Sequence, residues 1–317
     1  MAKPILMLAP MQGITDYLFR EYLTALGGVD VCVSVYARVS STALPGHALV
    51  RACKEMEHGG HTRHGVPVVF QLLGGTAELV AETARRAVLA GATGIDLNFG
   101  CPVSRVNNRD GGAALLRDPA RIRGIVRATR CAVPESVPVS AKLRTGWVSA
   151  EDAVDLALAA EDGGASYVVM HGRTREQLYS GRADWGVIGR VRESLSIPVV
   201  ANGDIRTLDD LERCAKLSGC GRFMIGRGAL ARPELFRVLS GLEDGWWSAS
   251  QRLEWLCSYG EFCRERGVTE RGVVGRVKGI LRYMSEADED IASVFLKERC
   301  CDEWDDLRAG LMKYTCR

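Results

Sequence analysis

Eight short apolar runs constrain this chain more than any other feature. They are ILMLAPM (5–11), VDVCVSVYA (29–37), VPVVFQLL (66–73), TGIDLNFG (93–100), VPVSAKL (137–143), SYVVMHG (166–172), IPVVANGD (197–204) and RFMIGRG (222–228). Each is rich in β-branched residues and does not alternate, the pattern of strands buried on both faces of a parallel sheet. Helical stretches separate them. Between 76 and 91, Leu79, Val80, Ala84, Ala87 and Val88 fall on one side at helical spacing, with Thr76 placed as N-cap. Ser149 and Asp152 give a capping-box-like start to a helix that ends at Gly163-Gly164. Eight strand–helix units in about 230 residues predict an α/β fold, a (β/α)8 TIM barrel. An open doubly wound sheet would place a G-x-G-x-x-G turn after its first strand, and APMQG stands there instead.

After residue 240 the pattern becomes helical. Trp255, Tyr259 and Phe262 recur at i, i+4 and i+7, followed by Val273, Val277, Ile280, Leu281 and Met284. The expected division is a barrel over 1–243 and a C-terminal helical domain over 244–317. Residues 264–282 carry Arg264, Arg266, Arg271, Arg276, Lys278 and Arg282 against Glu265 and Glu270. A solvated helix face is the simplest account of such a run.

The net charge of +2 excludes a polycation, so any nucleic-acid surface has to be a local patch. No run approaches the roughly 18 apolar residues of a membrane span, and the N-terminus lacks an export-signal pattern. The cytoplasm is the expected location. Eleven scattered cysteines (Cys316 among them) without a Cys-x-x-Cys argue against a disulfide framework or a structural zinc site. His58, His61 and His64 recur every three residues but sit in a polar loop, where a metal site is the less favoured reading.

In such a barrel the chemistry lies at the C-terminal ends of the strands. Those ends are polar here: Gln71, Asn98 with Cys101, Lys142 with Arg144, His171 with Arg173, Asn202-Gly203-Asp204, and Gly226-Arg227-Gly228. Buried amides and cations converging on one mouth need partners, and a bound polar cofactor supplies them. Glycine-rich turns after strands seven and eight have the shape of a phosphate site. With Lys142 and Gln71 deeper in the mouth they point to flavin mononucleotide. The lysine would hold negative charge at the N1–O2 side of the ring, and the glutamine would read the pyrimidine edge. A barrel-interior salt bridge is the competing use of Lys142.

Cys101, between Gly100 and Pro102, is placed at the mouth with its backbone fixed behind it. A thiol there can deliver a proton to one face of a double bond that takes a hydride on the other. Gly111-Gly112 suggests a loop that folds over substrate.

Taken in order, APM (9–11), VFQLLG (69–74), DLNFGCP (96–102), GGAALL (111–116), AKLRTGW (141–147), HGRTREQ (171–177), IPVVANGDI (197–205) and FMIGRGAL (223–230) resemble the tRNA-dihydrouridine synthases. The RTGW and SGCGRFMIGRGAL stretches, and GRVKGILRYM (275–284), are most similar to the branch that modifies uridine 16. The resemblance implies NADPH reducing bound FMN, and reduction of the uracil C5–C6 bond in the tRNA D-loop. It implies Cys101 as general acid at C5. Pro10, Met11, Gln71, Lys142, His171, Asn202, Gly203, Asp204, Gly226 and Arg227 become expected flavin contacts. Asn98, Arg144 and Arg173, with Tyr179 and Arg38 behind them, are expected at the uracil pocket. Arg276, Lys278 and Arg282 are expected on tRNA phosphates. A monomer is expected. The chain departs from the family where a Thr-Glu pair usually ends the second strand: Ser34-Val35 stands there, which bears on Arg38 as well. Competing assignments on the same barrel are a small-molecule pyrimidine reductase of the dihydroorotate type, a synthase acting at another D-loop position, and a non-catalytic RNA-binding module.

Overall fold

The structure, a computed structural model, describes residues 3–108 and 110–315; Cys316 lies outside them. Eight parallel strands close into a barrel: β1 (Ile5–Leu8), β2 (Val31–Val33), β3 (Val68–Leu73), β4 (Ile95–Asn98), β5 (Val139–Arg144), β6 (Tyr167–His171), β7 (Val199–Asn202) and β8 (Arg222–Ile225). β1 pairs with both β2 and β8, and β2 pairs with β3, so the sheet has no free edge there. Helices α1 (Tyr17–Thr24), α2 (Ala77–Leu89), α3 (Pro119–Ala132), α4 (Ala153–Asp162), α5 (Trp185–Ser194) and α6 (Leu208–Ser218) cover six of the units. Among the described residues the second and eighth units carry only shorter helices.

The second apolar run breaks where the sequence read one strand. β2 stops at Val33, and a two-residue strand, Ala37–Arg38, rejoins β3 further on. Val33 sits opposite Val69 and Ala37 opposite Leu72, four steps against three. One extra residue is thus accommodated as a bulge, a device that bends a strand at a barrel rim. Val35 and Tyr36 reach the mouth as a result.

Two cores follow from the alternation of side chains. Between strands and helices lies the main apolar core, including Leu6, Phe70, Ile95, Leu97 and Leu143. Inside the barrel, Met7, Val33, Val69, Val169, Val200 and Met224 form a second cluster. Along β3 to β5 the interior is polar: Gln71, Asp96 and Ser140 are fully buried and stand in register.

Thr76 occupies the N-cap of α2 but makes no side-chain cap hydrogen bond. Ser149 caps a three-residue 3-10 turn, Ala150–Asp152, and α4 begins at Ala153, later than the capping pattern indicated.

The C-terminal region consists of α7 (Ala249–Glu265), α8 (Glu270–Ser285), α9 (Glu289–Glu298) and α10 (Trp304–Met312). A complete capping box, Ser248 with Gln251, starts α7. Its aromatic stripe packs on α1: Tyr22 lies 4.8 Å from Phe262 and 5.1 Å from Trp255, and Phe19 lies 5.9 Å from Tyr259. Charge completes the junction. Arg252, buried, bonds Glu234 at 2.7 Å and Asp288 at 2.9 Å, and Arg276 meets Asp16 at 2.5 Å. Among the described residues no helix is long and apolar enough to cross a membrane. The described cysteines are all free thiols.

Gly260 on α7 marks the tightest contact within the helical region. A Cβ there would fall on the six-membered ring of the buried Trp304. Gly→Ala normally gains up to about 1 kcal/mol in a helix, whereas overpacking a core costs about 1–3 kcal/mol. Here the clash wins, because Trp304 is also fixed by its Nε1–H bond to Glu261. Gly260→Ala is expected to lower the thermal midpoint, by about 2–4 °C per kcal/mol lost; calorimetry of the full chain checks this.

Candidate active site

The strand ends surround a cavity of about 650 Å³ at the mouth of the barrel. Of the residues expected at a flavin, Pro10, Met11, Gln71, Lys142, His171, Asn202, Gly203, Asp204, Gly226 and Arg227 all line it. Cys101, Asn98, Arg144, Tyr179 and Arg282 line it too. Arg173 instead lines a neighbouring groove, and Arg38, Arg276 and Lys278 lie outside the cavity lining.

Cys101 is held from two directions. Its backbone N–H donates to Asn98 Oδ1 at 2.9 Å, and Gly100 N–H donates to the same oxygen at 3.0 Å. Its carbonyl accepts from Ala113 N–H at 3.1 Å, so the loop carrying Gly111-Gly112 folds back onto it. Gly112 has φ +61°, and a Cβ would lie 3.0 Å from the Cys101 carbonyl and 3.1 Å from its Cβ. Glycine is required by both conformation and space.

Fixed positive charge dominates the floor. Lys142 Nζ donates to Asn202 Oδ1 at 3.0 Å, and Asn202 is oriented by its own bond to the Met224 carbonyl. Burial, then the neighbouring Arg144, lower the Lys142 ammonium to about 8. Arg144 donates to the carbonyls of Gly100, Thr174 and Leu178, and burial brings it down to about 10. Arg173 bonds Asp204 at 2.6 Å and the carbonyls of Ser180 and Gly181. These two guanidiniums therefore build the loop after β6 as well as facing the site. Burial alone would raise Asp204, but the Ala183 N–H, Arg173 and Arg227 hold it below the usual carboxylate range. His171 is driven well below its ordinary value, first by burial and then by Lys142, Arg144, Arg173 and Arg227.

Tyr179 stands half-exposed at the rim, flanked by the guanidiniums of Arg227 at 4.8 Å and Arg144 at 5.4 Å. Gly203 has φ +123°, and a Cβ there would collide with Ala183 and the His171 ring. The C-terminal region adds to the lining through Arg282 and Tyr283 of α8 and Glu286 just after it.

A profile of the family described as dihydrouridine synthase (Dus) matches residues 7–290. The chain belongs to the dihydrouridine synthase family. It is 46% identical over 240 residues to the tRNA-dihydrouridine(16) synthase of Cupriavidus necator, covering 76% of this chain and 74% of that protein. With the enzyme of that name from Aquipseudomonas alcaligenes it shares 39% over 311 residues, 95% of this chain and 98% of the relative. The Haemophilus influenzae protein so named is 41% identical over 306 residues, 96% and 98%. Among solved structures, histamine dehydrogenase from Rhizobium sp. 4-9 matches with a TM-score of 0.57 at 14% identity, covering 81% of this chain and 48% of that one. A 2-naphthoyl-CoA reductase matches with the same TM-score at 11% identity, over 75% and 50%. These two likenesses concern the fold alone.

Residues lining the cavity that escaped the reading of the sequence include Tyr36, Tyr283 and Glu286. Tyr36 packs against Cys101, Leu73 and Val106, and its phenol is raised first by burial and then by the Cys101 thiol. A bulge brought it there, and apolar patterning does not announce bulges. Tyr283 and Glu286 arrive from a distant helix, a placement no local pattern encodes. Of the basic stretch, Arg276 is engaged by Asp16, Lys278 faces the exposed Asp302 at 3.5 Å, and Arg282 sits at the rim. The loop histidines do not form a cluster: among the described residues no group of three or more His, Cys, Asp or Glu could hold a metal ion.

Two outcomes follow. Gly112→Ala forces an alanine into the left-handed region, at about 1–2 kcal/mol, and presses on Cys101. Turnover should fall about 10- to 100-fold, as displaced reacting groups do, with the flavin content of the purified protein unchanged. His171 should remain neutral at pH 6.5, where an ordinary imidazole is half protonated; its ring ¹⁵N chemical shifts in the flavin-free protein check this.

Proposed function

We propose that this chain is an FMN- and NADPH-dependent synthase that reduces the C5–C6 bond of uridine 16 in the tRNA D-loop. The observation that carries the reading is the pinned Cys101 thiol sharing one cationic cavity with Lys142 and the glycine turns after β7 and β8.

The residues present fit a flavin mononucleotide. The cavity volume is within the range of small-molecule sites, about 300–1,000 Å³. Among the charged groups lining the cavity, Lys142, Arg144, Arg206, Arg227 and Arg282 outnumber Asp204 and Glu286, so the mouth favours an anionic ligand. Gly203 and Gly226 keep side chains off the turn where a phosphate would approach backbone N–H groups. Asn202, Gly203, Asp204, Gly226 and Arg227 would hold the phosphate end, and Pro10, Met11, Gln71, Lys142 and His171 the ring.

Bound by these residues, FMN would supply the two-electron reducing chemistry, drawn from NADPH, that delivers a hydride to the C6 face of the uracil. Cys101 gives its thiol proton to C5, so the double bond takes up one hydride and one proton, and the thiolate recovers its proton from solvent. Lys142, mostly protonated at neutral pH, holds fixed positive charge beside the ring. Asn98 fixes the Cys101 backbone, and Tyr179 offers an aromatic platform for a base drawn out of its stack. Arg144 orders the loop that carries Tyr179.

Residues 244–317 form the tRNA-gripping part in this reading. Arg282 at the rim meets phosphate directly, and Lys278 can exchange its loose contact with Asp302 for one. Arg276 acts by fixing α8 to the barrel through Asp16. The position, U16, is the one in the names of relatives aligned over nearly the whole chain. A monomer in the cytoplasm completes the proposal.

The purified protein should be yellow and should form dihydrouridine at position 16 of unmodified tRNA with NADPH, mapped by primer extension. Cys101→Ala should keep the flavin and lose about 10²- to 10⁴-fold in turnover, the usual weight of a positioned acid. Full activity in that variant removes Cys101 from the mechanism. Reduction of free uridine as fast as tRNA would reassign the chain to small-molecule chemistry.

A further inference from the structure

A continuous hydrogen-bonded chain runs from the barrel floor to the reactive cysteine. Ser140 Oγ–H donates to Asp96 Oδ1 at 2.6 Å, and Gln71 Nε2–H donates to Asp96 Oδ2 at 2.7 Å. Asn98 Nδ2–H donates to Gln71 Oε1 at 2.8 Å, and Asn98 Oδ1 accepts from Gly100 and Cys101 N–H. Strand register builds it, because Gln71 lies opposite Asp96 and Asp96 opposite Ser140. Asp96 is fully buried and does not line the cavity.

We propose that Asp96 is a positioning residue that sets the hydrogen-bond direction of this chain and so holds both the Gln71 amide and the Cys101 backbone in their working orientation. This rests on the reading of Cys101 as the acid. An amide can present oxygen or nitrogen to a given neighbour, but the two ends of the chain leave no choice. A carboxylate only accepts, and backbone N–H groups only donate. With both ends fixed, one arrangement of the two amides satisfies every bond. Reversal would set Gln71 oxygen against the Asp96 carboxylate and Asn98 nitrogen against two N–H groups, each a buried mismatch.

The direction also decides what a ligand meets. The Gln71 amide lines the cavity with one N–H committed to Asp96, which leaves its second N–H for an acceptor on a bound ring. Burial lifts the Asp96 carboxyl to about 6 against the pull of Ser140, Gln71 and Lys142, so at neutral pH it is mostly the ionised, acceptor-only form. Its charged and titratable neighbours are Lys142 and Tyr167.

The test compares Asp96→Leu with Asp96→Asn in the full-length, flavin-loaded protein. Asparagine can keep its oxygen toward Gln71 and its nitrogen toward Ser140 Oγ, preserving direction while removing charge. Leucine removes the anchor. In Asp96→Leu, turnover on tRNA should fall about 30- to 100-fold with KM for tRNA held within about threefold. Alkylation of Cys101 by iodoacetamide, followed on its own peptide by mass spectrometry, should rise about tenfold as the loop loosens. Asp96→Asn should restore the wild-type alkylation rate and recover at least about a third of turnover. Equal defects in both variants would overturn the proposal, since charge rather than direction would then matter. Wild-type behaviour of Asp96→Leu would overturn it as well. Should the leucine chain fail to fold, Asp96→Ser, whose hydroxyl both donates and accepts, leaves the direction unset and is read in the same way. Alkylation reports the hold on the Cys101 loop whether or not the thiol is the proton donor, so failure of that assignment shows separately in Cys101→Ala.

Discussion

Buried positive charge at the end of the barrel governs what surrounds it. Arg144 donates to three carbonyl oxygens and lies beside Tyr179, and Lys142 donates to one amide oxygen. Removing an ion from water costs several kcal/mol unless it is paired. Arg173 meets that demand with Asp204, but no carboxylate bonds the other two. The neighbours respond to burial and charge together: His171 is pushed well below its ordinary value first by burial and then by these cations, and the loop after β6 is folded around guanidiniums by its own carbonyls.

Within that field Cys101 is held by its backbone. Asn98 gathers two successive N–H groups, Ala113 takes the carbonyl, and Gly112 lets the returning loop press against Cys101 without a side chain between them. Fixing main chain on both sides of a residue leaves little freedom except its χ1 rotation. Such a hold suits the role proposed for Cys101, because a proton donor whose freedom is removed before substrate arrives loses less on reaction.

The strands were legible because parallel strands buried on both faces read as β-branched runs, and all eight appear within the expected segments. Strand-end polarity identified much of the polar part of the cavity lining for a related reason: a polar side chain ending an apolar run has few places to go except the mouth. What escaped was set by geometry that sequence spacing does not carry. One extra residue between Val33 and Ala37 re-aimed Tyr36. Asp96 was visible as the charged member of Ile-Asp-Leu-Asn, where Ile95 and Leu97 face the helices and Asp96 and Asn98 the interior. Only the register with Gln71 and Ser140 gives that alternation a meaning. The basic stretch at 264–282 reads as one charged surface, but the fold divides it: Arg266 and Arg276 turn to Glu21 and Asp16 on the barrel, while Arg282 goes to the rim.

That division ties recognition to chemistry. α8 is about 24 Å long at 1.5 Å per residue, and within it lie both the ion pair to the barrel and the residues that wall the cavity. Asp16 caps α1 through its bond to Phe19 N–H while pairing with Arg276, so one carboxylate fixes the start of a barrel helix and the setting of α8. The aromatic stripe of α7 grips the same α1 through Phe19 and Tyr22. A rotation of the helical region would therefore have to break an ion pair and an aromatic cluster together. The part of the cavity wall that α8 supplies is thus set by packing made at the junction, away from the strand ends.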